Sequence, residues 1–157
     1  MGILNILGLR SKKEIKVEPT GPKARVLISV LDVAQIGKKG PINQFSLQEG
    51  QDELVIKRDA GHPQSNERKF VVLEGNQILI ADNPEMQHIS RNQAVLRWNT
   101  QSKKYLIEDQ SPGGTYVNDE FIQKSRSAVI PHLGRVALGD AERNSPFVLT
   151  FVYQKNL

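Results

Sequence analysis

The chain has 157 residues, which suits one domain of ordinary size together with a tail. It contains no cysteine, which excludes a disulfide scaffold, thiol catalysis and cysteine-ligated zinc. The net charge of +4 comes entirely from residues 1–25, and the rest of the chain is neutral. We therefore expect no basic face for specific binding of DNA or RNA on the folded part.

An apolar segment opens the chain. Four of its large apolar residues fall at helical spacing, Ile3, Leu4, Ile6 and Leu7, and Leu9 follows them. They predict a short amphipathic helix, which is marginal in water unless a protein partner, a membrane surface or the domain itself covers it. Residues 11–23 are charged and contain two prolines, so residues 1–23 are expected to form a tail and linker.

The hydropathy of the chain bears on its location. No apolar run approaches the ~20 residues of a membrane-spanning helix. The apolar start is also too interrupted for a secretory signal peptide, and no small-residue cleavage site follows it. We therefore expect a cytoplasmic protein, either free, peripheral to a membrane, or part of a large complex.

Short β-like runs separated by turn residues begin at Ala24. Period-two alternation is visible in the run from Ala94, where Leu96 and Trp98 share one face and Val95 and Arg97 the other. Many short strands of this kind are typical of an all-β sandwich or barrel. The predicted strands are 25–31, 44–47, 53–56, 70–73, 78–80, 94–98, 105–108, 115–117, 135–138 and 147–152.

Two connections stand out among these strands. Residues 59–69 are polar, contain Gly and Pro, and predict a long exposed loop, which is either functional or a tolerated surface insertion. Residues 74–77, with the sequence EGNQ, lie between two apolar runs and predict a hairpin turn.

Three segments combine polar side chains with a position where a strand meets a turn. They are residues 55–58 (VIKR), 89–94 (ISRNQA) and 111–118 (SPGGTYVN). In a sandwich such turns can gather at one end, where recognition loops usually lie.

The order of these segments resembles the forkhead-associated (FHA) domain family. That family shows an arginine at a strand end, then Ser-Arg-x-His-Ala, then Ser-x-Asn-Gly-Thr-x-x-Asn, and residues 133–139 approximate its last element. The resemblance spans residues 24–153 and implies a β-sandwich of two mostly antiparallel sheets with about eleven strands. The domain is then expected to occupy residues 24–157, with an inserted loop and hairpin around 59–77.

The resemblance also implies phosphothreonine binding in a partner protein. A phosphothreonine carries about −1.5 to −2 charges and three strong acceptor oxygens, which favour a guanidinium and short hydroxyl or amide donors. By position, Arg58 is expected to make the main charged contact, Ser90 to donate its hydroxyl, and Arg91 to supply a second contact. The other members of the implied phosphopeptide site are Asn92, Gly113 and Asn118.

Three positions depart from the family pattern. Lys57 replaces a glycine, Gln93 replaces a histidine that connects the binding loops, and Gly113 replaces an asparagine that holds the partner's backbone. Glutamine can both donate and accept, so it can take over part of the histidine's role. Glycine has no side chain, and the lost hydrogen bond is worth about 1 kcal/mol.

Two hypotheses therefore stay open. The first is a non-catalytic adaptor that binds phosphothreonine. The second is a phosphate-independent structural or scaffolding subunit, docked in a larger complex or at a membrane surface through the apolar residues Ile3, Leu4, Ile6, Leu7 and Leu9. Affinity of the basic tail for anionic lipid or nucleic acid is a further alternative, and it would fall steeply with salt.

The sequence shows no catalytic or metal-binding pattern. His62, His88 and His132 are scattered and lack zinc-ligand spacing. No phosphate-binding loop and no nucleophile–base–acid set is apparent. We therefore expect neither an enzyme nor a cofactor.

Overall fold

A computed structural model of the chain describes residues 23–35, 40–59, 71–82, 84–139 and 146–154. Most of the predicted tail, including its helix and the five apolar docking residues, lies outside the described residues. The same holds for the predicted loop at 59–69, apart from Asp59. The division of the chain at residue 23 stays a prediction.

Twelve strands are present in the described part of the chain. Two short 3₁₀ turns, Val33–Gln35 and Pro84–Met86, accompany them. In chain order the strands are β1 (Ala24–Asp32), β2 (Asn43–Gln48), β3 (Glu53–Asp59), β4 (Val71–Glu74), β5 (Gln77–Ala81), β6 (Ala94–Asn99), β7 (Lys104–Asp109), β8 (Thr115–Val117), β9 (Glu120–Ile122), β10 (Ser127–Val129), β11 (Gly134–Leu138) and β12 (Phe147–Tyr153).

The strands form two six-stranded sheets. The first has the order β2-β1-β12-β11-β8-β9, and the second has the order β10-β7-β6-β3-β5-β4. Neighbouring strands are antiparallel except for β3 and β5, which are parallel. The predicted all-β sandwich of two mostly antiparallel sheets is therefore confirmed, with twelve described strands where about eleven were expected.

Alternating burial explains why these runs are strands. Along β12, Phe147, Leu149, Phe151 and Tyr153 face the interior and the residues between them are half-buried. The inward residues of the two sheets meet in one core, as in other sandwiches. Tyr105 belongs to this core, whereas Trp98 is only partly buried and packs against it.

Two strands were not predicted, namely β9 and β10. Each has three residues and lies at the edge of its sheet, and most of their side chains are exposed, so neither shows a period-two pattern. In the turn before β9, Asn118 and Asp119 adopt φ of 50° and 69° between the paired residues Val117 and Glu120. Two positive φ values in a two-residue loop match the strand twist of a hairpin.

Within the described residues, no helix is long and apolar enough to cross a membrane.

A buried tyrosine connects the two sheets. The Tyr153 hydroxyl, on β12 of the first sheet, donates to the Ile130 carbonyl (2.8 Å) and accepts from the Tyr105 N–H (2.9 Å), which belongs to β7 of the second sheet. Burial raises the pKa of the Tyr153 phenol well above its usual value. The hydroxyl therefore stays neutral and holds the sheets together at the end where β1 begins.

Replacing Tyr153→Phe is expected to lower the free energy of unfolding by about 1–3 kcal/mol, because it removes both hydrogen bonds and leaves buried polar groups unpaired. Urea unfolding measures the loss. Thr150→Val is the matched control. The Thr150 hydroxyl is also buried, yet it has no hydrogen-bond partner within the described residues, so its removal should be neutral or stabilising. Equal losses in the two variants would contradict the proposed role of Tyr153.

Candidate functional site

Several strand ends meet at one end of the sandwich, opposite the Tyr153 contact. We call this end the rim and define it by Arg58 at the end of β3, residues 82 and 84–93 between β5 and β6, and residues 111–114 between β7 and β8. The Arg58 N–H donates to the Ser90 carbonyl (3.1 Å), which fixes the end of β3 against the segment 89–94. Two of the three segments predicted to converge therefore lie side by side.

The third segment is connected to them by Gln93. This side chain is fully buried, and its amide oxygen accepts from the Ser90 N–H (2.8 Å). Its amide nitrogen donates to the Gly114 carbonyl (2.8 Å) and approaches the hydroxyl oxygens of Thr115 (2.9 Å) and Ser111 (3.1 Å). One amide thus joins residues on both sides of the rim, which is the connecting role that the family pattern assigns to histidine.

Asp109 also stabilises the loop of residues 111–114. Its Oδ1 accepts from the hydroxyls of Thr115 (2.6 Å) and Ser111 (2.8 Å), while the Ser111 Oγ accepts from the Gly114 N–H (2.8 Å). Its Oδ2 is buried with no hydrogen-bond partner in the part of the chain that the structure describes. These buried contacts give residues 111–114 one defined conformation.

Gly114 is required at this position for two reasons. Its φ is +95°, and a Cβ there would lie 2.4 Å from the Phe121 ring. The ring of Phe121 therefore covers the rim loop closely, and any larger residue at 114 would displace it.

The surroundings of Arg58 were not predicted. Its Nε lies 3.2 Å from Asp82 Oδ1, and its Nη1 donates to the carbonyls of Gln87 (3.2 Å) and Ile89. The Nε contact is an ion pair without hydrogen-bond alignment to a partner among the described residues. The side chain is 11% exposed and that of Asp82 is 24% exposed. The guanidinium is therefore positioned at the rim with its charge already balanced by a carboxylate.

Ser90, Arg91, Asn92 and Gly113 lie at the surface of the rim. The Ser90 Oγ accepts from the Asn92 N–H (3.1 Å), a contact that leaves the hydroxyl hydrogen available to a ligand. Arg91 and Asn92 are exposed on the turn before β6. Gly113 is exposed at the rim loop of β7–β8.

Asn118 is not brought to the rim. It lies beyond the far end of β8, in the hairpin before β9, where its Oδ1 accepts from the Arg135 N–H (2.9 Å). Its own N–H donates to the Arg135 carbonyl (2.8 Å). The side chain therefore supports the hairpin against β11.

Asp82 is the rim residue that sequence reasoning missed. The parallel pairing of β3 with β5 places Asp59 opposite Ala81, and so brings Asp82 beside the end of β3. A signal was present in the sequence, since an acid directly follows the apolar run 78–81, but the partner strand could not be identified from it.

Comparisons with known proteins agree with this fold. A family model described as "FHA domain" matches residues 68–139. The crystal structure of yeast Pml1p is similar to this chain with 18% identity and a TM-score of 0.59, covering 82% of this chain and 81% of that one. The FHA domain of the CT664 protein from Chlamydia trachomatis is 23% identical, with coverages of 83% and 99% and a TM-score of 0.53.

A third similar structure carries a ligand. It is the MEK1 FHA domain in complex with a HOP1 phosphothreonine peptide, with 15% identity, coverages of 84% and 99%, and a TM-score of 0.51. At these identities the structures show a shared fold. No curated protein sequence matches the chain.

The connecting role of Gln93 can be tested with Gln93→Leu, which keeps the volume but removes the amide. We expect the free energy of unfolding to fall by about 1–3 kcal/mol, because buried donors and acceptors lose their partners. Hydrogen exchange should quicken at the Ser90 and Gly114 amides. Gln101→Leu, on an exposed turn, is the control and should change neither quantity. Unchanged exchange at Ser90 would contradict the assignment.

Proposed function

We propose that this chain, a member of the FHA domain family, is a non-catalytic interaction module that binds a phosphothreonine of a partner protein at the rim. The observation that carries the proposal is the juxtaposition of Arg58 with Ser90 through the 3.1 Å backbone hydrogen bond, on loops held by Gln93. The similarity to a domain solved with a phosphothreonine peptide supports it.

The chemistry of the rim suits a phosphate. The Ser90 hydroxyl can donate one hydrogen bond, exposed Arg91 can supply charge, and the Arg58 guanidinium has donors beyond those used by the carbonyls. Hydrogen bonds to charged groups contribute about 1.5–3 kcal/mol each, so two or three give a modest affinity. Rigid loops reduce the entropy lost on binding.

Asp82 opposes the same ligand. Its carboxylate lies 3.2 Å from Arg58 Nε, so an approaching phosphate meets a negative charge beside the guanidinium. Binding then requires the guanidinium to give up part of its ion pair with Asp82. We expect the affinity to be lower than it would be for the same rim without this carboxylate.

The primary test is a titration of full-length protein with a phosphothreonine peptide library, together with the unphosphorylated peptides. Arg58→Ala is expected to weaken phosphopeptide binding at least tenfold, a loss of about 1.4 kcal/mol. Arg97→Ala is the matched control. Arg97 lies on the same sheet but pairs with Glu53 and Glu108 away from the rim, so binding should be unchanged. No phosphate-dependent binding in the wild type would reject the proposal.

A second prediction concerns Asp82→Asn, which keeps the shape of the side chain and removes its charge. We expect phosphopeptide affinity to rise several-fold, because the competing charge is gone. Isothermal titration against the best peptide measures the change. A fall in affinity would contradict competition, and it would mean that Asp82 acts by positioning Arg58.

A phosphate-independent scaffolding subunit is the second candidate function. It is favoured by the balanced charge of Arg58 and by Gly113, which has no side chain to hold a partner's backbone. One similar structure is described as the yeast Pml1 splicing factor and its integration into the RES complex. This alternative predicts equal binding of phosphorylated and unphosphorylated partners, and loss of partners when residues 1–12 are deleted.

A further inference from the structure

A groove runs along one side of the sandwich, between the two edge strands β9 and β10. Its volume is about 620 Å³, which is within the range of ligand-binding clefts. Its lining is mixed: the charged residues Glu120 and Arg126 and three further polar residues line it together with the apolar residues Val117, Phe121, Ile122, Ala128, Val129 and Pro131. Phe121 on β9 is 56% exposed and Val129 on β10 is 48% exposed, so each edge strand presents one large apolar side chain to this space.

The unpaired edges of β9 and β10 add to this surface. Each of the two strands pairs on one side only within the described residues, and exposed apolar edge strands are sites where another segment adds. The connection between them, residues 123–126, is held in place. The Arg126 N–H donates to the Gln123 carbonyl (2.9 Å) and the Ser125 N–H donates to the Asp109 carbonyl (2.9 Å). The groove is therefore a formed feature of the fold.

One end of the groove, lined by Asn118 and Pro131, lies at the end of the molecule where the described chain begins. The first sheet brings the start of β1 to the same level, because Val26 pairs with Tyr153 and Phe151 pairs with Gly134. Four strand intervals separate β1 from β9, and at about 4.8 Å each they amount to about 19 Å.

The chain preceding β1 is long enough to cover this distance. Residues 10–22 separate the apolar segment from the described domain. Thirteen residues can reach about 40 Å when fully extended, which exceeds the separation. Because the link tethers the segment to the domain, the contact is intramolecular, with an effective concentration in the millimolar range, so a weak contact is sufficient for occupancy.

One acidic residue of the groove suits the same occupant. The apolar segment is followed directly by Arg10, Lys12 and Lys13. Glu120 lines the groove and is exposed, whereas the neighbouring Asp119 is paired with Arg135 (3.3 Å) and Arg126 also lines the groove. A bound segment would therefore place its basic residues near Glu120 and away from Arg126.

We propose that the groove between β9 and β10 binds the N-terminal apolar segment of this chain, residues 3–9. The large side chains of the segment pack against Phe121 and Val129. The segment is then not free to dock elsewhere while it is bound. This inference does not depend on the phosphothreonine site, although the two surfaces adjoin, because Phe121 lines the groove and also lies against Gly114 of the rim loop.

The chain contains no cysteine, so a single introduced cysteine can carry a nitroxide spin label without further changes. The experiment uses the full chain with Asn5→Cys, labelled, and records paramagnetic broadening of backbone amide signals. Broadening is expected at Phe121, Ala128 and Val129. It should persist when labelled chain is diluted, because the contact is intramolecular.

Three variants make the result decisive. Val129→Asp should abolish the broadening, whereas Leu133→Asp should preserve it, because Leu133 is 58% exposed and lies outside the groove. Ile6→Asp together with Leu7→Asp should also abolish it without touching the domain, which covers the case in which Val129→Asp unfolds. Broadening that is absent, that lies elsewhere on the domain, or that passes equally from labelled to unlabelled isotope-enriched chains would overturn the proposal.

Discussion

The side-chain amide of Gln93 lies where the two halves of the rim meet. Its oxygen accepts from the Ser90 N–H and its nitrogen donates to the Gly114 carbonyl, so a displaced amide would free both loops at once. Asp109 adds a second buried anchor through Thr115 and Ser111. In a region of low dielectric such a network is strong when every member is paired and costly when one is lost. The position of Ser90 relative to residues 111–114 depends on it.

Arg58 is held by different means. Its backbone is fixed to Ser90, while its side chain is shared between the Asp82 carboxylate and two carbonyl groups. A charge that is balanced in the free protein costs less to keep partly buried. The same balance means that a phosphate ligand must compete with Asp82. The rim therefore combines rigid loops with a charged group whose availability depends on one neighbouring carboxylate.

The fold could be predicted from the sequence because most of its strands show local patterns. The apolar run that begins at Ala94 and the turn at Gly75 are recognisable without knowledge of distant residues. The short edge strands β9 and β10 were not predicted. Most of their side chains are exposed, so neither strand shows an apolar pattern. Asn118 was grouped with the phosphopeptide site by its place in a motif, yet a three-residue strand separates it from the rim loop.

The pairing of Arg58 with Asp82 could not be predicted from the sequence. The two residues are 24 positions apart, and only the parallel pairing of β3 with β5 brings them together. Motif spacing found the guanidinium, but the carboxylate that balances it belongs to no motif. By contrast, the connecting role of Gln93 followed from its position and from the donor and acceptor groups of an amide, and the structure provides the partners for both.

The most direct test of this account is a structure of the chain bound to a phosphothreonine peptide. The account predicts phosphate oxygens within hydrogen-bond distance of both the Arg58 guanidinium and the Ser90 hydroxyl, with the Arg58–Asp82 separation increased beyond the present 3.2 Å. A phosphate bound away from Ser90, with Arg58 still paired to Asp82, would contradict it.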